Sequence, residues 1–463
     1  MMQSKPLVLR NVERNGAHTN VRIADGVIHS IGEVSEAEAE LIDARGGALI
    51  PGLIDHHIHL FATAARLTSI DLSAARSKEA LVSALRTASA DHMPDAWLRA
   101  INYDDSEIGL ISRADLDAAN VSNPVRVQDR TGALWILNSH ALALVLDDAP
   151  PPCVERDANG DPTGRIWRGD AWLRTRMPSA PPSLAPLSRA LAAYGVTGVT
   201  DTSASNGHDE ARLFANARMH GELLQSLCMM SGGDIPASPH YTIGPIKILP
   251  DERELPELDD IIEHMRMARS LNRAVAVHCV TAAELVFALA AYEAIGAKAG
   301  DRLEHGGIIP HVLLEQIRAL GLIIVTQPNF IHDRGDRYAR TIDNDELPDL
   351  YRLRSLREAS IQIAAGGDAP YGDFNPWRAI KTATDRKTKN GIVLGAAERI
   401  GAREALGLYL GGFDTPARER KIEIGASADL CLLKTPLSAV LENPHADHVA
   451  ATIARGQMIY SAL

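Results

Sequence analysis

Cysteine is scarce in this chain of 463 residues: only Cys153, Cys228, Cys279 and Cys431 occur, far apart and without a C-x-x-C pair. That excludes a disulfide framework and a thiolate zinc knuckle. Positive charge is outweighed, with 47 Lys and Arg against 59 Asp and Glu and a formal net charge of -12. Nucleic-acid binders carry a basic face, so a polyanionic partner is not expected, and the acidity reads as solubility. No apolar run reaches the length of a membrane span, and Met1 to Arg10 hold no apolar signal core, so a cytoplasmic protein off the membrane is expected. No G-x-G-x-x-G follows a strand, and both the P-loop and G-x-S-x-G are missing. Dinucleotide binding, P-loop chemistry and a serine nucleophile therefore lose their support.

What is present describes a large globular protein, with 46% hydrophobic and 23% charged residues. The first fifty residues read as short strands with tight turns, such as Val21-Arg22-Ile23 and Val27-Ile28-His29-Ser30-Ile31 around Asp25-Gly26. The end reads similarly, through Ala428-Asp429-Leu430-Cys431-Leu432-Leu433 and Val449 to Tyr460. One small β-sandwich built from both termini, 1–50 and 418–463, is expected.

Between them, apolar strands alternate with helical runs, the pattern of parallel βα units in an α/β fold. Eight strands are predicted at Leu53–His59, Thr197–Asp201, Leu223–Met230, Ile243–Leu249, Ala274–Val280, Arg302–His305, Leu322–Gln327 and Ile361–Gly366. Eight units suit a (β/α)8 TIM barrel over 51–63 and 187–417; an open doubly wound sheet is the alternative. Residues 64–186 read as an insertion after strand one, placed over the barrel mouth where loops set substrate choice. Thr281-Ala282-Ala283-Glu284 has capping-box spacing and Gly296 stands at a helix stop. His278 then lies near the C-terminal end of a strand, on the face where barrels keep their chemistry.

His57 and His59 are two apart on a predicted strand and share a face. A bare H-x-H is a weak motif. His278, His305 and Asp368 each end a strand-like run; each alone is ambiguous, and a lone histidine there is more often a hydrogen-bonded structural residue than a ligand. Together with the H-x-H pair in one barrel they form a ligand set. Nitrogen and carboxylate donors without thiolates suit zinc, or cobalt, manganese or iron, in an open catalytic site.

In order along the chain, Pro51-Gly52-Leu53-Ile54-Asp55-His56-His57-Ile58-His59, His278, His305 and Gly367-Asp368-Ala369-Pro370 resemble the pattern of the amidohydrolase superfamily. Asn123-Pro124-Val125, Thr131-Gly132-Ala133-Leu134-Trp135, Asp161-Pro162-Thr163-Gly164 and Thr326-Gln327-Pro328-Asn329-Phe330 resemble its YtcJ-like branch, amidohydrolase family 3. The resemblance implies a metal-bearing barrel, a sandwich from the termini and hydrolysis of a C–N bond, with His57, His59, His278, His305 and Asp368 as metal ligands. Lys247 stands where many members bridge two ions with a carboxylated lysine; the alternative is an ordinary lysine that reaches solvent or pairs with Asp251. Arg168 stands where the branch commonly has a glutamate near the metal. A cation there repels a second ion, so one ion is expected rather than two. The same departure resembles the phenylurea and molinate hydrolases, which share the segment around Asn375-Pro376-Trp377-Arg378.

The expected mechanism is metal-activated water with Asp368 as general base. Arg168 is a candidate for the developing oxyanion, and Trp135, Tyr103 and Gln327 for substrate binding. A small-molecule amide, urea or carbamate is the expected substrate, with deamination of a heterocycle as the alternative. Analogy with barrels of this kind implies a homo-oligomer.

Overall fold

A computed structural model describes residues 5–130, 132–147, 149–177, 181–250 and 255–463. Thr131, Asp251 and most of the proline-rich segment from Pro178 lie outside them. The chain divides into two units: Met1–Thr63 with Ser183–Leu463, and Ala64–Pro182.

The first unit is built on eight parallel strands: β1 (Leu53–Ile58), β2 (Val196–Asp201), β3 (Ser226–Ser231), β4 (Thr242–Ile248), β5 (Val275–Cys279), β6 (Arg302–His305), β7 (Ile323–Thr326) and β8 (Gln362–Ala365). They neighbour one another in chain order, each pair parallel, from β1 to β8. Their side chains are almost all buried, as expected for strands covered on both faces. The last seam, between β8 and β1, closes at one end through Asp368 N–H to His57 O at 2.7 Å and His59 N–H to Ala369 O at 2.9 Å. At its other end Leu408 and Tyr409 step in, accepting from Ala365 N–H at 3.0 Å and Ile54 N–H at 2.8 Å. The fold is a (β/α)8 barrel.

Strand boundaries shift where apolar residues belong to loops. Leu223 and Leu224 precede β3, and Leu223 N–H instead caps the preceding helix on Ala217 O at 3.2 Å. The helix Ala282–Ile295 starts as its sequence predicts. Thr281 Oγ1 accepts from Glu284 N–H at 3.3 Å, Glu284 Oε2 accepts from Thr281 N–H at 3.1 Å, and Gly296 takes φ 74° at the stop. Thr281→Ala removes one of these cap bonds and is expected to cost about 1 kcal/mol, read as a lower urea midpoint.

Both termini build a pair of four-stranded sheets. One runs Val27–Ile31, Ala17–Ala24, Leu7–Arg14, Glu40–Asp43; the other Gln457–Ser461, Val449–Ala454, Leu430–Leu433, Leu49–Pro51. Leu9, Val21 and Ile23 from the first meet Leu430, Leu432 and Ile453 from the second in one buried core.

The second unit has its own six-stranded sheet, in the order Val154–Arg156, Pro162–Trp167, Leu134–Leu137, Val125–Asp129, Leu98–Tyr103, Ile70–Asp71. Its interior takes up the two aromatics expected at the substrate. Tyr103 is 0% exposed, and its hydroxyl donates to Gly109 O at 2.6 Å and accepts from Ile111 N–H at 3.2 Å. Trp135 is 5% exposed, packed with Leu142, Ile166 and Leu173 under the guanidinium groups of Arg99 and Arg126. An insertion with a sheet of its own needs large apolar side chains to fill its own core, and these two serve there. Arg168 is exposed in this unit, at φ 52°, with its N–H on Ala133 O at 2.8 Å. No helix among the described residues is long and apolar enough to cross a membrane.

Candidate metal centre

The site begins with β1. Between Asp55 and Ile58 the strand carries one residue more than its partner β2, a local irregularity at His56-His57. Buried Asp55 holds this stretch in place: its carboxylate accepts from His57 N–H at 2.9 Å and from Gly367 N–H at 3.1 Å. Burial pushes its pKa up to about 7, against the pull of those N–H donors.

Each of three imidazoles has one nitrogen tied down. His57 Nδ1 meets the Glu304 carboxylate, His59 Nδ1 lies 2.9 Å from Ser203 Oγ, and His305 Nδ1 lies 2.9 Å from Gln327 Oε1. Gln327 is buried, and its Nε2 donates to Val325 O at 3.4 Å, which leaves Oε1 facing the imidazole. Gln327, expected at the substrate, thus faces His305 and orients its ring. Fixing one ring nitrogen leaves the other with a lone pair to offer.

The free nitrogens of His57 and His59 converge on Asp368, which His305 approaches with Nδ1, 3.8 Å from Oδ2. Asp368 Oδ1 lies 3.4 Å from His57 Nε2 and 3.3 Å from His59 Nε2, longer than well-formed N–H···O bonds. The His57 and His305 rings are 4.6 Å apart, and His278 stands edge-on to His305 at 4.5 Å. The His278 side chain is 27% exposed, and its Nε2 lies 4.0 Å from Glu284 Oε2. His305 (φ 72°) and Asp368 (φ 50°) both turn through the left-handed region, which non-glycine residues occupy mainly where surrounding structure holds them.

The charge states suit cation binding. Burial, with Lys247 and His57 adding repulsion, lowers His278 to about 4, and burial also holds His305 well below the usual histidine value. Burial opposes ionisation of Asp368, but the imidazoles around it, His57 first, win and hold it well below the usual carboxylate range. Neutral His278 and His305 beside an ionised Asp368 are ligand forms a divalent ion needs, whereas His57, whose pKa the Asp368 and Glu304 carboxylates raise against burial, must release a proton to join them. His57 Nε2, Asp368 Oδ1 and Lys247 Nζ are buried without a hydrogen-bond partner among the described residues. His57, His305 and Asp368 each offer a ligand atom within 4.8 Å of the others. Buried polar atoms are rarely left unpaired, and a cation at this point satisfies the imidazole nitrogen and the carboxylate oxygen. The residues present therefore fit a divalent metal.

Lys247, on β4, does not reach solvent. It is buried, and burial lowers its pKa despite the nearby carboxylates of Glu304 and Asp368. Sequence reasoning gave no role to Asp55, Glu304, Ser203 or Tyr371. The Tyr371 ring is perpendicular to His59 at 5.8 Å and 61% exposed. Glu304 had a signal in Arg302-Leu303-Glu304, whose alternation puts both charges on one face of a buried strand.

A barrel carrying such a cluster at the C-terminal ends of its strands has the residues to hold a divalent metal on its catalytic face. A model of the amidohydrolase family matches residues 40–460, and the chain belongs to that family, in its YtcJ-like branch. It is 25% identical to the N-substituted formamide deformylase of Arthrobacter pascens, over 94% of each chain. It is 23% identical to the putative amidohydrolase YtcJ of Bacillus subtilis, over 95% of each. Among solved structures, an uncharacterised metal-dependent hydrolase from Pyrococcus horikoshii shares the fold at TM-score 0.78 and 20% identity, covering 95% of this chain and 99% of that one. N-isopropylammelide isopropylaminohydrolase from Burkholderia multivorans does so at 0.54 and 14%, covering 98% of each.

Proposed function

We propose that the protein hydrolyses the C–N bond of a small neutral amide, urea or carbamate, N-substituted formamides included, using one divalent ion. The observation that carries this reading is the approach of two imidazole nitrogens, His57 Nε2 and His59 Nε2, to a single oxygen of Asp368. His57, His59, His278, His305 and Asp368 would hold the ion, and zinc suits this donor set best. When bound, the ion supplies Lewis acidity toward the scissile carbonyl and lowers the pKa of water. Asp368 stays ionised beside the imidazoles, accepts a proton from the attacking water and returns it to the departing nitrogen. Glu304, Ser203 and Gln327 keep the three imidazoles from rotating while this happens. The relative from Arthrobacter pascens, a formamide deformylase, supports including formamides.

Elemental analysis of the purified protein, with a panel of formamides, amides, ureas, carbamates and N-acyl amino acids, tests the reading. About one ion per chain and release of a free amine are expected. Two ions per chain would give Lys247 a carboxylated, bridging role. Ammonia release without another amine would move the activity to deamination, and a metal-free protein inert on the whole panel would overturn the proposal.

A further inference from the structure

The barrel interior beside the metal cluster contains a fully buried ion pair that moves no proton in the hydrolytic step. Arg302 and Glu304 lie two apart on β6, both sealed from solvent. Arg302 Nε meets Glu304 Oε1, and its Nη2 donates to Glu304 Oε2 at 3.2 Å and to His56 O at 2.7 Å. The same Glu304 Oε2 is the partner of His57 Nδ1. Barrel interiors are ordinarily filled by layers of branched apolar side chains. A buried ion pair seldom outperforms apolar residues of equal volume, so stability alone does not account for this one.

Its connections point elsewhere. The carboxylate links β6 to the first imidazole of the H-x-H pair, and the guanidinium ties that carboxylate to the β1 backbone one residue earlier. The Nδ1 partners of His59 and His305 are a hydroxyl and an amide, whereas that of His57 carries a full negative charge. Resting on the metal-dependent reading above, we propose that Glu304, braced by Arg302, is a positioning residue for the metal. It holds the His57 hydrogen on Nδ1, aims Nε2 at the ion and strengthens that nitrogen as a donor. Such outer carboxylates commonly contribute 10- to 100-fold to metal affinity.

The test compares wild type with Glu304→Gln, both stripped of metal and titrated with cobalt(II) while the visible spectrum is recorded. Glutamine keeps the shape and can still accept from Nδ1 but lacks the charge. Cobalt affinity is expected to fall about 10- to 100-fold, with shifted visible bands and unchanged far-ultraviolet circular dichroism of the apo-protein. Where Glu304→Gln fails to fold because Arg302 is stranded, Arg302→Met with Glu304→Gln removes both charges and enters the same titration. Wild-type affinity and spectrum in the variant that folds would overturn the role of Glu304 alone. A wild-type protein that takes up no cobalt would overturn the metal-dependent reading itself, and this role with it.

Discussion

Asp368→Asn protein is expected to fold, keep most of its metal and lose about 10²- to 10⁴-fold in kcat, the range a general base contributes. Asparagine preserves the shape and an oxygen at the centre of the cluster. It cannot take a proton from water, and it removes the negative charge that lies 3.4 Å from His57 Nε2 and 3.3 Å from His59 Nε2. The loss belongs in kcat, with KM little changed, because the missing step is made only in the transition state. Kinetics on whichever substrate the panel identifies, paired with elemental analysis, decide the matter. Turnover within tenfold of wild type would remove Asp368 from the role of base.

The second large effect comes from one methyl group. A Cβ on Gly366 would stand 2.3 Å from His57 N, 2.6 Å from His57 Cβ and 2.7 Å from Asp55 Oδ1. None of these can yield cheaply. Gly366 N–H is held by Thr326 O at 3.1 Å, and two residues on, Asp368 N–H closes the barrel on His57 O at 2.7 Å. Gly366→Ala therefore forces apart the seam that carries the metal ligands. It is expected to cost 4 kcal/mol or more, the range reserved for such core clashes, and to lower the melting temperature by on the order of 10 °C or leave the protein insoluble. Gly233→Ala is the control, since a Cβ there meets nothing within 4 Å. Equal melting curves for the two variants would refute the close-approach argument.

All eight barrel strands are legible in the sequence because burial on both faces makes them near-continuous apolar runs, and their ends blur only where a loop is also apolar, as at Leu223. The histidines and Asp368 are legible because they interrupt such runs at strand ends. Glu304 is not, because a carboxylate reads as solvated until its partners Arg302 and His57 are known, and those come from alternation and from a residue far away in the chain. Gln327 belongs to a family-like motif, yet motif membership does not say whether a side chain faces substrate or ligand; here it faces His305. Tyr103 and Trp135 lie buried in core clusters of the second unit. Their unit builds its own core, and sequence gives no sign of which aromatics that core consumes.

The sandwich made from both termini governs the order in which the molecule can be completed. Leu49–Pro51, the strand that leads into β1, takes its hydrogen bonds from Leu430–Leu433, made after the whole barrel. On a ribosome, Leu9, Val21 and Ile23 emerge early and must wait through synthesis of the entire barrel before Leu430, Leu432 and Ile453 arrive to cover them. The cover for those residues, and the strand pairing that anchors Leu49–Pro51 at the entrance to β1, therefore come only from segments made after the barrel.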